Sequence, residues 1–149
     1  MTYYFFDSSA LIKRYHAEIG TDKIDEIIEQ QNNEIIISSL ALSEVTSAFN
    51  RKKHEGKINP DLFTDILIEF YREVLDKFTM ISLDDSLLSQ SMELILNRNL
   101  RTLDSLQLSA ALSIFQILVE TKFVFVCADK KLIEAAKQEG LETLNPEID

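Results

Sequence analysis

Two patterns of apolar residues alternate along the chain. Short apolar or β-branched runs predict strands over residues 3–6, 34–38, 79–83, 122–127 and about 142–144. Segments whose apolar residues recur every three or four positions predict helices over about residues 40–54, 60–77, 84–97, 103–118 and 130–139. A further helix is predicted to begin at Thr21. Because strands and helices take turns, the pattern predicts an α/β fold with a parallel sheet and right-handed crossovers.

The residues between these segments fit the same division. Asp7-Ser8-Ser9 follows the first strand and is typical of a capping turn into a helix. Gly56 and Gly140 are placed to end helices, and Pro60 stands in the first turn of another. No internal repeat, low-complexity segment or linker interrupts the alternation, so we expect residues 1–149 to form a single domain.

Composition narrows the class of protein. The chain has 149 residues, of which 46% are hydrophobic, with three Gly and two Pro, as in compact globular proteins. Its N-terminus has no basic segment, and no stretch approaches the roughly 18 apolar residues of a membrane span. We therefore expect a cytoplasmic protein with no membrane association. The lone Cys127 lies among apolar neighbours, which favours a core residue over a reactive thiol.

Net charge argues against unspecific binding of a polyanion. The chain carries 15 Lys and Arg against 25 Asp and Glu, a net charge of −10, which repels nucleic acid overall. Divalent cations bound by several of the carboxylates would neutralise that part of the surface. Local clusters of charge therefore matter more than the total.

Two acids follow predicted strands. Asp7 comes after the first strand and Asp129 after the fourth, and in open α/β sheets ligands bind beyond the carboxyl ends of the strands. Aspartate before a helix is also a favoured N-cap, so each residue has a purely structural explanation.

Two further acids project from apolar helix faces. Glu44 has Leu40 and Ala48 one turn away on either side, and a buried carboxylate needs a cation, hydrogen-bond donors or a proton. Asp104 has Leu100 and Leu108 in the equivalent places. The structural alternatives are an edge position that reaches water for Glu44 and a favourable interaction with the helix dipole for Asp104.

Taken together, Asp7, Glu44, Asp104 and Asp129 predict a divalent-metal site. Four converging carboxylates repel one another unless a cation lies among them, and oxygen ligands without a His or Cys cluster favour Mg²⁺ or Mn²⁺ over zinc. Such a site suits hydrolysis of phosphodiester bonds. Ser9 is expected to hydrogen-bond one of these ligands, although a serine in a first helical turn is often only a cap.

The chain resembles the PIN-domain family, and within it the toxin ribonucleases of the VapC type. The similar segments are DSSAL from Asp7, SSLALSEVTSAFNR from Ser38, LRTLDSLQLSAAL from Leu100, and CADKKLIEAAKQEGLETLNP from Cys127. They agree in order and spacing over nearly the whole chain. Two positions depart from the family: Cys127 stands where Thr or Ser is frequent, and Ser105 where Ala is common.

The resemblance implies a three-layer α/β/α PIN-like fold with a central parallel sheet of about five strands. It also implies that Asp7, Glu44, Asp104 and Asp129 bind the metal, that the substrate is RNA, that the protein is a homodimer, and that an antitoxin protein from the same operon inhibits it. The main alternative is a catalytically inactive PIN-like module that binds RNA or a protein.

Basic residues near two of the acids are candidates for contact with the RNA backbone, which needs Lys and Arg without base reading. They are Lys13, Arg14, Arg51, Lys52 and Lys53. Cations at a helix C-terminus also interact favourably with the helix dipole, which explains Arg51, Lys52 and Lys53 equally well. Aromatic residues at 63, 70, 71 and 78 fit a partner groove or, for most of them, ordinary core packing.

Two other α/β classes fit less well. A receiver-type signalling domain needs a pair of acids after the first strand, whereas Asp7 stands alone. A phosphatase with a DxD nucleophile needs an acid where the chain has Ser9.

Overall fold

A five-stranded parallel sheet forms the centre of the protein. The structure, a computed structural model, describes residues 1–149. Every pair of neighbouring strands is parallel. The strands are β1 (Thr2–Phe6), β2 (Asn33–Ser38), β3 (Phe78–Ile81), β4 (Lys122–Val126) and β5 (Glu142–Leu144).

Seven α-helices connect and cover the strands. They are α1 (Ser8–Leu11), which continues into a 3₁₀ turn (Ile12–Arg14), α2 (Thr21–Glu29), α3 (Leu40–His54), α4 (Pro60–Asp76), α5 (Asp85–Arg98), α6 (Thr102–Phe115) and α7 (Lys130–Gln138). None of these helices combines the length and the hydrophobicity of a membrane-spanning helix.

The strand order, β3-β2-β1-β4-β5, places a topological switch point between β1 and β4. The chain winds from β1 to β2 and β3 in one direction, then returns to the other side of β1 for β4 and β5. Beyond the carboxyl ends of two such neighbouring strands the connecting loops diverge and leave a crevice. Asp7 and Asp129 border this crevice.

Alternating side chains of the sheet enter two separate cores, which gives three layers. Phe5, Phe123 and Phe125 face one side, where α5, α6 and α7 pack. Phe6 and Val126 face the other side, where helices α1 to α4 pack. The predicted α/β class, the three-layer PIN-like arrangement and the sheet of about five parallel strands are confirmed.

Most predicted element boundaries agree with the structure to within about two residues, but α6 does not. The pattern predicted a helix to about residue 118, whereas α6 ends at Phe115. The apolar residues beyond it are not part of a packed helix face, because Ile117 and Val119 are each 73% exposed. Glu120 then has a positive φ of 67°, which directs the chain into β4.

Candidate active site

Asp7 lies at the carboxyl end of β1 and is almost completely buried. Its backbone N–H donates to Val126 O at 3.0 Å, so the residue is fixed against β4. Its side-chain Oδ2 accepts from the backbone N–H of Ser9 at 3.2 Å and caps α1. Oδ1 takes no part in these bonds and is left for another ligand.

Ser9 attaches Asp7 to the loop that follows β4. Its hydroxyl donates to Asp7 Oδ2 at 2.6 Å and accepts from the backbone N–H of Ala128 at 3.1 Å. The hydrogen bond expected between Ser9 and an acid of the cluster is therefore present. The Ser9 hydroxyl therefore fixes the distance between Asp7 and Ala128, the residue before Asp129.

Asp129 occupies the equivalent position after β4. Its Oδ1 accepts from the backbone N–H of Leu132 at 3.0 Å and caps α7. Both strand-end acids are thus N-caps, as the structural explanation held, but each cap uses a single carboxylate oxygen. Capping and metal binding are compatible at both residues.

Glu44 is held by two side chains from other parts of the fold. Its Oε1 accepts from Ser8 Oγ at 2.9 Å and from Gln107 Nε2 at 2.7 Å. Gln107 is fully buried, and its own Oε1 accepts from Ser38 Oγ at 3.1 Å. These bonds fix the carboxylate in one rotamer and leave Oε2 without a partner in the chain.

Sequence reasoning missed both Gln107 and Ser8. Gln107 lies inside α6, where all residues from Ser105 to Leu112 are buried. A glutamine within such an apolar helix needs polar partners, and this was the available signal. The partners themselves come from distant parts of the chain, so periodicity could not identify them.

Asp104 lies in the first turn of α6, about a quarter exposed. Its nearest cation is Arg101, whose Nε is 3.9 Å from Asp104 Oδ2, and the Arg101 side chain is 85% exposed. This long, solvent-exposed contact neutralises little of the charge. Asp104 therefore remains an acid without a firm partner.

Electrostatic effects link the four carboxylates pair by pair. Burial raises the pKa of Asp7 to about 6, and the charges of Glu44 and Asp104 add to the increase. Burial, followed by the charge of Asp129, raises the pKa of Asp104. Mutual repulsion of this kind favours a bound cation.

The carboxylates do not form a closed ligand set. No group of three or more His, Cys, Asp or Glu side chains is arranged to hold a metal ion as the side chains stand. The donor chemistry nevertheless fits Mg²⁺ or Mn²⁺, since Asp7, Glu44 and Asp129 each keep one carboxylate oxygen unbonded. Mg²⁺ in proteins commonly binds through one or two carboxylates and keeps several waters, so it does not require a complete protein cage.

Cys127 packs against these acids from the protein interior. The residue is fully buried, as the sequence predicted, and Sγ lies 3.6 Å from Asp7 Oδ2. The backbone N–H of Asp129 donates to Sγ at 3.3 Å. Burial and the neighbouring Asp7 raise the pKa of the thiol, so it stays protonated at neutral pH and can still support the loop.

The structure corrects two of the expected RNA contacts. Lys13 is only 5% exposed and pairs with Glu18 at 2.9 Å. Arg14 is enclosed by carboxylates, with Asp25 at 2.8 Å, Glu73 at 2.9 Å and Glu29 also paired. Both cations stabilise the packing of the 3₁₀ turn against its neighbours. They are not available to a phosphate, and we do not retain them as RNA contacts.

The remaining basic candidates differ in whether their charged groups already contact another side chain. Lys52 lies 3.6 Å from Glu18, and the Lys53 ammonium lies 4.3 Å from the centre of the Phe63 ring. Arg51 is exposed, makes no ion pair within the chain, and lines a cavity of about 570 Å³. The other residues around that cavity are Glu44, Arg101, Thr102, Leu103 and Asp104. Arg51 is thus the expected contact that lies beside two of the acids.

The pKa of Asp7 makes a prediction for stability without metal. Because the pKa is about 6 in the fold and near its ordinary value of 3.8 in the unfolded chain, the folded protein keeps a proton that the unfolded chain releases between these pH values. The free energy of unfolding should therefore fall, by about 3 kcal/mol at most, as pH rises from 4 to 7. Urea unfolding in EDTA should show a steeper fall for wild type than for Asp7→Asn, and equal slopes would contradict the assignment.

Comparisons with known proteins agree with this geometry. The family model described as PIN domain matches residues 4–138. Among curated protein sequences, none matches the chain.

Several solved structures share the fold. PAE2754 from Pyrobaculum aerophilum is 20% identical with a TM-score of 0.68, over 95% of this chain and 83% of that one. VapBC2 from Rickettsia felis, in a complex with a DNA fragment from its promoter, is 17% identical with a TM-score of 0.65, over 97% of this chain and 98% of that one. FitAcB from Neisseria gonorrhoeae is 11% identical with a TM-score of 0.68, over 98% and 99%. At these identities the similarity is one of fold.

Proposed function

The chain belongs to the PIN domain family, and from this premise we propose that it is a metal-dependent endoribonuclease that hydrolyses RNA phosphodiester bonds. The observation that carries the proposal is the position of buried Asp7. It lies at the switch point of the sheet, and its burial, together with the charges of Glu44 and Asp104, raises its pKa. A carboxylate placed in this way is unfavourable unless a cation joins it.

In this proposal Asp7, Glu44, Asp104 and Asp129 bind Mg²⁺ or Mn²⁺ as metal ligands. The bound ion supplies the Lewis acidity and the positive charge that phosphodiester hydrolysis requires. Ser9 holds Asp7 in place, and Ser8 with Gln107 holds Glu44, while the second oxygen of each carboxylate makes no hydrogen bond within the chain. Fixed ligands lower the cost of assembling the site when substrate binds.

Arg51 is the best-placed contact to the RNA backbone. It is exposed, unpaired and beside Glu44 and Asp104, whereas most other cations of this acidic chain are paired with carboxylates. Lys52 and Lys53 follow it on α3 and are retained as weaker candidates. An unpaired positive charge beside the acids would direct a polyanion towards them.

We further propose a cognate antitoxin as the protein partner, and a homodimer as the assembly. Support comes from the sequence resemblance to VapC-type toxins and from the fold shared with VapBC2 from Rickettsia felis and FitAcB from Neisseria gonorrhoeae. Light scattering of the purified chain, alone and with the product of the adjacent gene, tests both parts.

Cleavage of labelled RNA tests the enzymatic proposal. Protein freed from any antitoxin is incubated with a panel of single-stranded and hairpin RNAs in Mg²⁺, Mn²⁺ or EDTA. We expect cleavage with either metal and none in EDTA. Activity in EDTA would contradict metal dependence, and binding of RNA without cleavage in any metal would favour the catalytically inactive module.

A salt series tests the contact of Arg51 with phosphate. In the Asp7→Asn background, where RNA should remain intact, Arg51→Gln should weaken RNA binding and lower the slope of log affinity against log salt by about 0.7 to 1. Arg72→Gln is the matched control, because Arg72 is exposed and unpaired but lies on α4. Arg72→Gln should change the slope less, and equal slopes for Asp7→Asn with and without Arg51→Gln would reject the contact.

A further inference from the structure

A second cavity, of about 290 Å³, is lined by Glu44 but not by Asp104. Its lining consists of Leu40, Ser43, Glu44, Ser47, Arg51 and Leu103. Three of these residues, Glu44, Arg51 and Leu103, also line the larger cavity that contains Asp104. The two cavities therefore adjoin each other at these three residues. We call the 290 Å³ cavity the side groove.

Two of the six residues around the side groove, Leu40 and Leu103, are apolar. Leu103 is 48% exposed, although the residues that follow Asp104 in α6 are all buried as far as Leu112. Leu40, in the first turn of α3, is half-buried. The two leucines supply an apolar surface of the kind that a flat ring can cover.

Unused polar groups line the rest of the side groove. Ser43, Ser47 and Arg51 follow one face of α3 at intervals of four residues, and all three are exposed. None makes a side-chain hydrogen bond within the chain, whereas the nearby Thr46 is bonded to Leu42 O and to Tyr71. A free hydroxyl can donate or accept, which suits the edge of a nucleobase, and a guanidinium suits a phosphate.

We propose that the side groove binds one nucleotide of single-stranded RNA next to the bond that is cut. The base lies between Leu40 and Leu103 with its edge towards Ser43 and Ser47, and its phosphate contacts Arg51. A base paired in A-form RNA cannot present its face in this way, so the strand must be unpaired there. This inference rests on the proposed ribonuclease function and adds a site that selects for an accessible base.

Methyl NMR with mononucleotides tests the side groove without any need for catalysis. Protein with labelled Leu methyl groups is titrated in EDTA with each of the four ribonucleoside 5′-monophosphates, and separately with inorganic phosphate. We expect the ring current of at least one base to shift the Leu40 and Leu103 methyl signals, with millimolar affinity, a typical strength for so small a contact. Phosphate alone should leave these methyl signals unmoved.

Two substitutions separate the side groove from nonspecific binding. Leu103→Asn should weaken mononucleotide binding about fivefold or more, as judged by the Leu40 signal, because it removes one apolar wall. Leu88→Asn is the control, since Leu88 is 47% exposed, almost the same as Leu103, and lies on α5 outside the groove. Equal effects of the two substitutions, or no methyl shift with any mononucleotide, would overturn the proposal.

The same experiment distinguishes this inference from the proposed function. If the protein cuts RNA but the Leu40 and Leu103 signals do not move, the side groove is rejected and the ribonuclease proposal stands. If these signals move but no RNA is cut in Mg²⁺ or Mn²⁺, the nucleotide site stands and the chain is a binding module.

Discussion

Replacement of Asp7 by asparagine is expected to lower the rate of Mg²⁺-dependent RNA cleavage by at least about a hundredfold, because a neutral amide binds a divalent cation far less well than a carboxylate. The shape of the residue is kept. Asparagine is as good an N-cap as aspartate, so α1 keeps the cap on Ser9 N–H. The loss should therefore arise from the missing charge alone. Single-turnover cleavage of a labelled RNA measures it.

Asp65→Asn is the matched control for this substitution. Asp65 is exposed on α4, and its replacement changes the net charge of the protein by the same amount. Cleavage by this variant should equal that of the wild type. Stability provides a second control, because Asp7→Asn should unfold in EDTA at a urea concentration no lower than the wild type at pH 7. Full cleavage by folded Asp7→Asn would remove Asp7 from the metal site.

Gln107→Leu is expected to weaken Mn²⁺ binding by about 10- to 100-fold, the usual effect of losing a residue that orients a metal ligand. Leucine is close to glutamine in size but cannot donate to Glu44 Oε1. The carboxylate would keep only the bond from Ser8 and would sample other rotamers. Gln107 is in this account a positioning residue, since its own amide is turned towards Glu44 and Ser38 and away from the cleft. Isothermal titration with Mn²⁺ measures the affinity.

Two further variants show whether an effect of Gln107→Leu is specific. Gln116→Leu makes the same change at the exposed C-terminal end of α6 and should bind Mn²⁺ like the wild type. Ser38→Ala removes the bond on the far side of Gln107 and should weaken Mn²⁺ binding less than Gln107→Leu does. Mn²⁺ affinity of Gln107→Leu within twofold of the wild type, in protein that urea unfolding shows to be folded, would contradict the positioning role.

Local sequence patterns were sufficient to place the strand-end acids. Asp7 and Asp129 follow strands whose apolar runs end abruptly, and a parallel sheet brings the carboxyl ends of β1 and β4 to the same edge. Glu44 needed only the helical period, because its neighbours Leu40 and Ala48 define the face. These features depend on residues that are close together in the sequence, so a single sequence is enough to predict them.

Contacts between distant segments were not predictable in this way. Gln107 reaches Glu44, 63 residues earlier, and Ser38, 69 residues earlier. Arg14 is enclosed by Glu73, 59 residues later. The helical period also fails for α6, where apolar residues surround the helix and no single face stands out. Arg14 was wrongly expected to contact RNA because its acidic partners are far from it in the sequence.

The charge of the chain has an explanation in the same contacts. A net charge of −10 opposes nucleic-acid binding, yet many of the carboxylates neutralise cations such as Lys13 and Arg14 inside the protein. By contrast, Arg51, which makes no ion pair, and Arg101, whose contact with Asp104 is 3.9 Å long, line the cavity beside Glu44 and Asp104. Selective pairing of this kind would restrict RNA to the site and disfavour the rest of the surface.

We propose that Asp7, Glu44, Asp104 and Asp129 bind a divalent cation, and anomalous diffraction from crystals soaked in Mn²⁺ would locate that ion. We expect a peak between the four carboxylates, with oxygen atoms of Asp7 and of at least one other acid about 2.0–2.3 Å away. The same peak should be absent from Asp7→Asn crystals. A fully soaked wild-type crystal with no peak in this cleft, or with Mn²⁺ bound only elsewhere, would contradict the account.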